Sequence, residues 1–148
     1  MEFPVFSLVR FGRLRAPSLH KPPDETGSDA SCYELEFYYE DSPGGLTIDG
    51  VHYPARRGFF ACCKPGQRRK MVLPYKCTFF NIATRDPELR AALDKLPTYG
   101  PMGQPEQIIS LCTTMNAETH RDALYGKMLA EGCVCTILSI LFRNTYAI

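Results

Sequence analysis

The stretch from residue 32 to residue 83 is cut by turn signals every few residues, which leaves room there only for short β-strands. Pro43-Gly44-Gly45, Asp49-Gly50, Arg57-Gly58 and Lys64-Pro65-Gly66 punctuate it. Within CYELEFYYED, residues 32–41, Tyr33, Leu35, Phe37 and Tyr39 alternate with Glu34, Glu36, Tyr38 and Glu40, the period of a half-buried strand. Residues 46–53 read LTI-DG-VHY. Asp49-Gly50 between two β-rich runs is a strong hairpin signal, because a two-residue turn asks for positive φ at both central positions. Residues 59–63 form a further strand, and Lys64-Pro65-Gly66 is a turn with Pro second and Gly third. Residues 69–73 and 76–83 flank Pro74-Tyr75 as a hairpin-like pair. Residues 3–11 add an edge strand, and residues 17–31, rich in Pro, Ser, Asp and Gly, read as a loop. Short strands at this spacing predict a barrel or a sandwich.

The second half is helical. Asp86-Pro87-Glu88 supplies a capping side chain, a proline at the first helical position and an acid in the first turn, for a helix running to Leu96. Residues 98–104 are a loop. Pro105 opens a second helix whose apolar face is Ile108, Leu111, Cys112 and Met115. A third helix is expected from near Ala117 to Phe142, weakened at Gly126 and Gly132.

At 148 residues the chain suits one domain with a core that needs no staple. The formal net charge of +1 lacks the basic excess of a free-standing nucleic-acid binder. The longest apolar run, residues 134–142, is broken by Thr136 and Ser139 and is too short for a membrane span, so no membrane partner is expected. The first residues lack the pattern of a secretory signal. Seven cysteines form no doubled CxxC and no disulfide framework, which suggests a reducing cytoplasm. Cys62-Cys63, on opposite faces of a strand, and Cys133-x-Cys135 admit thiol redox or soft-metal chemistry. Burial as small hydrophobes is the simpler reading.

His20, His52 and His120 are not spaced as metal ligands, and no phosphate-binding glycine loop or GxSxG nucleophile turn occurs. No cofactor is expected. The row Glu34, Glu36, Glu40 on one side of a strand reads as a solvated edge if that side meets water. If it meets a barrel interior, it can hydrogen-bond a polar or cationic ligand. The pattern leaves both parities open. The basic cluster Lys64, Arg68, Arg69, Lys70 reads as cross-strand neutralisation of that row, with Arg69 the inward member.

The stretch YELEFYYEDSPGGLTIDGVHYPARRGFFACCKPGQRRKM resembles the N-terminal sensor domain of AraC-type transcription regulators. The matching positions are Leu35, Gly45, Leu46, Ile48, Asp49, Gly50, Tyr53, Arg57, Gly58, Lys64, Pro65 and Gly66. The resemblance implies an α+β chain: a cupin-like (double-stranded β-helix) barrel at 1–83, followed by two to three C-terminal helices at 84–148 that serve dimerisation. In such a barrel Gly58 lets the chain enter the next strand without a Cβ clash. Metal-dependent cupins carry an HxH pair and a Glu, and only His52 stands in the matching region. The family's paired helix-turn-helix motifs are not in this chain, which therefore reads as the sensor portion of a longer regulator or a truncated product.

The function so implied is small-molecule effector sensing in the cytoplasm, without catalysis and with DNA contacted only through a domain outside this chain. The effector would contact Glu36, Tyr38, Glu40, Arg69, Met71 and Phe79. A homodimer would form through Leu124, Met128, Ile137, Leu138 and Leu141 of the last helix, whose apolar surface could equally pack on its own barrel. The alternatives are a metal-free cupin enzyme, an isomerase or lyase with a Glu base and Tyr38 as acid, and a purely structural dimerisation module whose barrel is filled.

Overall fold

The computed structural model describes residues 5–16 and 28–146. Its nine strands are β1 (Ser7–Ala16), β2 (Ser28–Asp29), β3 (Tyr33–Phe37), β4 (Gly45–Ile48), β5 (Val51–Pro54), β6 (Phe59–Cys63), β7 (Arg68–Val72), β8 (Tyr75–Ala83) and β9 (Tyr99–Pro101). The helices are α1 (Pro87–Lys95), α2 (Pro105–Ala117) and α3 (Leu124–Tyr146). The protein is α+β, with all strand pairs antiparallel. One sheet has the order β1-β8-β3-β6-β9 and the other β2-β7-β4-β5. No closed barrel is found among the described residues. Each sheet keeps two edges, and the layers run helices, five-stranded sheet, four-stranded sheet.

Local chemistry explains the hairpins and helix starts. Asp49 and Gly50 both take positive φ, +48° and +83°, so the turn has the conformation its sequence demands. The Asp86 side chain accepts from the Leu89 N–H at 2.9 Å, with Pro87 at the start of α1. Lys64, at the head of its turn, donates its ammonium to the carbonyls of Asp94 and Leu96 at the end of α1, where a cation meets the helix dipole favourably.

Long-range pairing departs from the sequence expectation. Residues 69–73 and 76–83 do not form a hairpin: β7 pairs with β4 and β2, whereas β8 pairs with β1 and β3. Pro74 marks a corner at which the chain passes from one sheet to the other. Residues 38–44 make the matching corner between β3 and β4. The pair β3/β8 thus continues as β4/β7, a two-stranded ribbon folded across both sheets. The two corners are tied together by the Gly44 N–H donating to the Pro74 carbonyl at 2.8 Å.

Gly44 is required by this close approach, since a Cβ there would run into the backbone carbonyls of Val72 and Pro74. Gly44→Ala is expected to destabilise by about 1–3 kcal/mol in urea denaturation. Gly132→Ala, on an exposed face of α3 with open space around it, is expected to stabilise by up to about 1 kcal/mol. At Gly58 the expected Cβ clash is absent. The position has φ +84° with nothing near a Cβ, so glycine serves the backbone conformation there.

The central strands are buried on both faces. Tyr33, Leu35 and Phe37 of β3, Phe60 and Cys62 of β6, and Phe80 and Ile82 of β8 form the core under the helices with Leu93, Ile108, Cys112, Val134 and Ile137. The opposite parity, with Tyr38, Ala61, Cys63, Tyr75 and Cys77, packs against Leu46 and Ile48 of the second sheet. Further boundaries differ from expectation. The edge strand expected at 3–11 is β1, which runs from Ser7 to Ala16, and residues 3–4 lie outside the described residues. The loop at 98–104 contains β9, which pairs with β6. The loop at 17–31 contributes β2, while residues 17–27 lie outside the described residues. The third helix begins at Leu124, because the chain at 118–123 turns to place Arg121 over the Phe11 ring at 4.1 Å, its guanidinium donating to the Phe11 carbonyl.

By length and hydropathy α3 is long enough to cross a membrane, contrary to the expectation from the sequence. Its inner face is core, and 44% of that window is buried within the fold.

Candidate functional site

The even-numbered side of β3 faces the second sheet, and this places two carboxylates inside the protein. Glu36 is buried, so the solvated reading of this row fails for it. The Tyr38 hydroxyl donates to Glu36 Oε1 at 3.0 Å, and the Tyr75 hydroxyl donates to Glu36 Oε2 at 3.2 Å. Arg69 reaches across from β7, 3.0 Å from Glu36 Oε2 and 3.4 Å from Glu34 Oε1. The expected neutralisation by Arg69 is therefore present, but it joins two sheets rather than neighbouring strands of one. Burying a carboxylate is tolerable only with such partners.

The electrostatics follow from burial. Desolvation pushes the Glu36 carboxyl above its ordinary value, against the downward pull of Arg69 and the two tyrosine hydroxyls. Tyr38 and Tyr75 are pushed up by burial and by the neighbouring Glu36 charge. For Arg69 burial acts downward, but Glu36 and Glu34 outweigh it and its guanidinium is held charged.

Beside this network lies a cavity of about 110 Å³ between the sheets. Glu34, Glu36 and Arg69 form its polar wall together with Asn81, and Leu14, Met71 and Phe79 its apolar wall, with Arg10 at the edge. Three wider clefts at the surface are not bordered by these ion pairs. Of the residues expected to meet an effector, Glu36, Arg69, Met71 and Phe79 come together here. Tyr38 stands behind Glu36 and borders a different cleft, with Arg57 and Glu106. Glu40 is at the surface, 3.0 Å from Lys76, because β3 ends at Phe37 before reaching it.

Sequence reasoning missed Tyr75 and Asn81. Both share the face of β8 that carries Cys77 and Phe79, at the strand period of two, and Tyr75 was hidden by its assignment to the turn. Tyr99 was also missed. Its ring stacks 5.3 Å from Tyr53 and 5.1 Å from Phe59, and its hydroxyl donates to the Pro54 carbonyl at 2.8 Å, bridging the β9 edge of one sheet to the β5 edge of the other.

Six cysteines are buried and Cys135 is half-buried; none is in a disulfide. Cys62 faces the helices and Cys63 the second sheet. Burial pushes Cys62, Cys63 and Cys112 up to about 12. A thiol-specific disulfide reagent at pH 8 is expected to modify Cys135 first, and the buried six only on unfolding. Rapid native modification of Cys62 or Cys63 would contradict this packing. Among the described residues no three of His, Cys, Asp and Glu gather as a metal set. His52 is exposed on β5, His120 is exposed beside Tyr125, and His20 lies outside the described residues.

Of the residues expected at a dimer interface, Ile137, Leu138 and Leu141 are buried in this chain's own core. Leu124 and Met128 are exposed, at 75% and 62%, and Tyr125 joins them at 59%. Fold and cavity together define a two-sheet α+β protein with a charged pocket between its sheets, whose Glu36 is held from behind by two tyrosine hydroxyls. No family model and no curated protein matches the chain.

Proposed function

We propose that this chain is a small-molecule effector-sensing and dimerisation domain of an AraC-type transcription regulator, cytoplasmic and non-enzymatic. The observation that carries the reading is the cavity between the sheets, walled by Glu34, Glu36 and Arg69 and backed by Tyr38 and Tyr75. A few convergent polar groups beside an apolar wall make up the chemistry of a small-ligand site. A cupin-like arrangement is supported by the folded ribbon β3–β4/β7–β8 and by Tyr99 spanning one pair of sheet edges.

A route from cavity to helices is on hand. Phe79 of β8 lines the cavity, while its neighbour Thr78 accepts from the Asn116 amide of α2 at 3.1 Å. Effector binding would bias the helices, and through them a DNA-binding domain outside this chain, by no more than its differential affinity for the two arrangements.

A thermal-shift screen of small metabolites tests the sensing claim. A true effector at a hundredfold excess over its Kd is expected to raise the midpoint by about 5–10 °C. Effectors that bind without altering DNA binding by the full-length regulator defeat it.

Dimerisation rests on the exposed apolar end of α3, with Leu124, Tyr125 and Met128, since monomers seldom leave such a patch open. Sedimentation is expected to show a dimer that Leu124→Glu with Met128→Glu converts to monomer. A single monomeric species of the unaltered chain at micromolar concentration rejects it.

A metal-free enzyme is favoured by one observation, the raised Glu36 carboxyl. Against it, the tyrosines at hand are raised as well, which makes them poor acids, and both Glu36 oxygens already accept hydrogen bonds.

A further inference from the structure

We propose that the cavity between β3, β7 and β8 takes a small organic ammonium ion, an inference that rests on this cavity being the effector site. The first support is the placement of charge. Arg69 alone bridges the two carboxylates, Glu36 at 3.0 Å and Glu34 at 3.4 Å, while the second cation of the lining, Arg10, stands over the Phe79 ring. The second is an orphaned atom. Glu34 Oε2 is buried and has no hydrogen-bond partner, which leaves it an acceptor for an N–H donor.

The third is a cation seat already in use. The Arg10 guanidinium stands 5.4 Å from the centre of the Phe79 ring, at the edge of the cavity, and Arg10 is exposed. An arriving ammonium can take the same ring face in place of Arg10. Leu14 and Met71 offer a short alkyl chain an apolar wall. An anionic ligand would confront the two carboxylates. A neutral polyol would satisfy Glu34 Oε2 but has no charge to place over the Phe79 ring. The volume of about 110 Å³ limits the enclosed part to a handful of heavy atoms, below the roughly 150 Å³ that encloses benzene.

The test compares n-butylamine, an ammonium at neutral pH, with butan-1-ol, which differs only in its head group. The readout is the Met71 methyl signal in methyl-¹³C-methionine protein, assigned with Met71→Leu. Butylamine is expected to shift that signal saturably and at least tenfold more tightly than butanol. Glu34→Gln is expected to weaken butylamine at least fivefold. Arg10→Ala, a change at an exposed side chain that leaves the fold intact, is expected to tighten it at least twofold by vacating the ring face. Butanol binding as tightly as butylamine, or Arg10→Ala failing to tighten butylamine, overturns the ammonium assignment and leaves the effector-site reading standing. If neither probe moves the Met71 signal, the ammonium assignment falls. If a broad set of sugars, acids and neutral metabolites also fails to move it, the effector-site reading falls with it.

Discussion

Arg69→Ala is expected to lower the unfolding free energy by about 3–5 kcal/mol at pH 8, the usual penalty for removing one partner of a buried ion pair. Arg69 is the cation that reaches both Glu34 and Glu36, and its side chain is only 20% exposed. Without it the two carboxylates stand side by side on β3 with only tyrosine hydroxyls to stabilise Glu36. The penalty is expected to shrink as the pH falls. Glu36 is already raised above 4.5 by burial, with Arg69 the first influence pulling it back. Removing Arg69 moves it further up. A raised carboxyl contributes stability that is complete below its unfolded value and lost as the pH climbs through its folded value. Variant and unaltered protein should therefore differ least near about pH 4.5 and most in the alkaline range. Urea denaturation across that range checks the sign. A penalty that grows on acidification would contradict the arrangement of charges.

Phe37→Ala is expected to cost about 3–5 kcal/mol, by lost burial and the cavity left behind. Phe37 is fully buried, with its ring 5.5 Å from Phe80 and 6.3 Å from Phe60 in the core under the helices. It sits on the opposite face of β3 from Glu36, so the ion pairs should survive in whatever fraction stays folded. Val51→Ala, at an exposed position on β5, is expected to stay within about 0.5 kcal/mol. A Phe37 variant no less stable than the Val51 variant would mean that the layer between sheet and helices is misplaced.

The features legible in the sequence are those decided by a few neighbouring residues. The Asp49-Gly50 hairpin, strand β6 and the starts of α1 and α2 follow from local φ requirements, capping and proline placement. Partner choice is nonlocal, and there the reading failed. Pro74 signals that the chain turns, but not whether it folds back on itself or crosses to another sheet. The parity of β3 was open because both of its faces are buried, so alternation marked two different environments rather than inside and outside. Arg69 was found because a row of carboxylates on one strand invites a cation from a neighbouring one, whichever way the row faces. Tyr75 was lost with the misplaced turn, and with it half of the hydroxyl support for Glu36. The apolar character of α3 was legible, yet it does not say which residues meet the chain's own sheet. Ile137, Leu138 and Leu141 do, while Leu124 and Met128 point away.

The most direct test of the central claim is the map of backbone amide shifts in labelled protein as a thermal-shift hit is titrated. An effector held between the sheets should perturb Glu34 and Glu36 of β3, Arg69 and Met71 of β7, and Phe79 and Asn81 of β8 together, with one common Kd. Perturbations confined to surface residues, with those six amides unmoved at saturation, would contradict it.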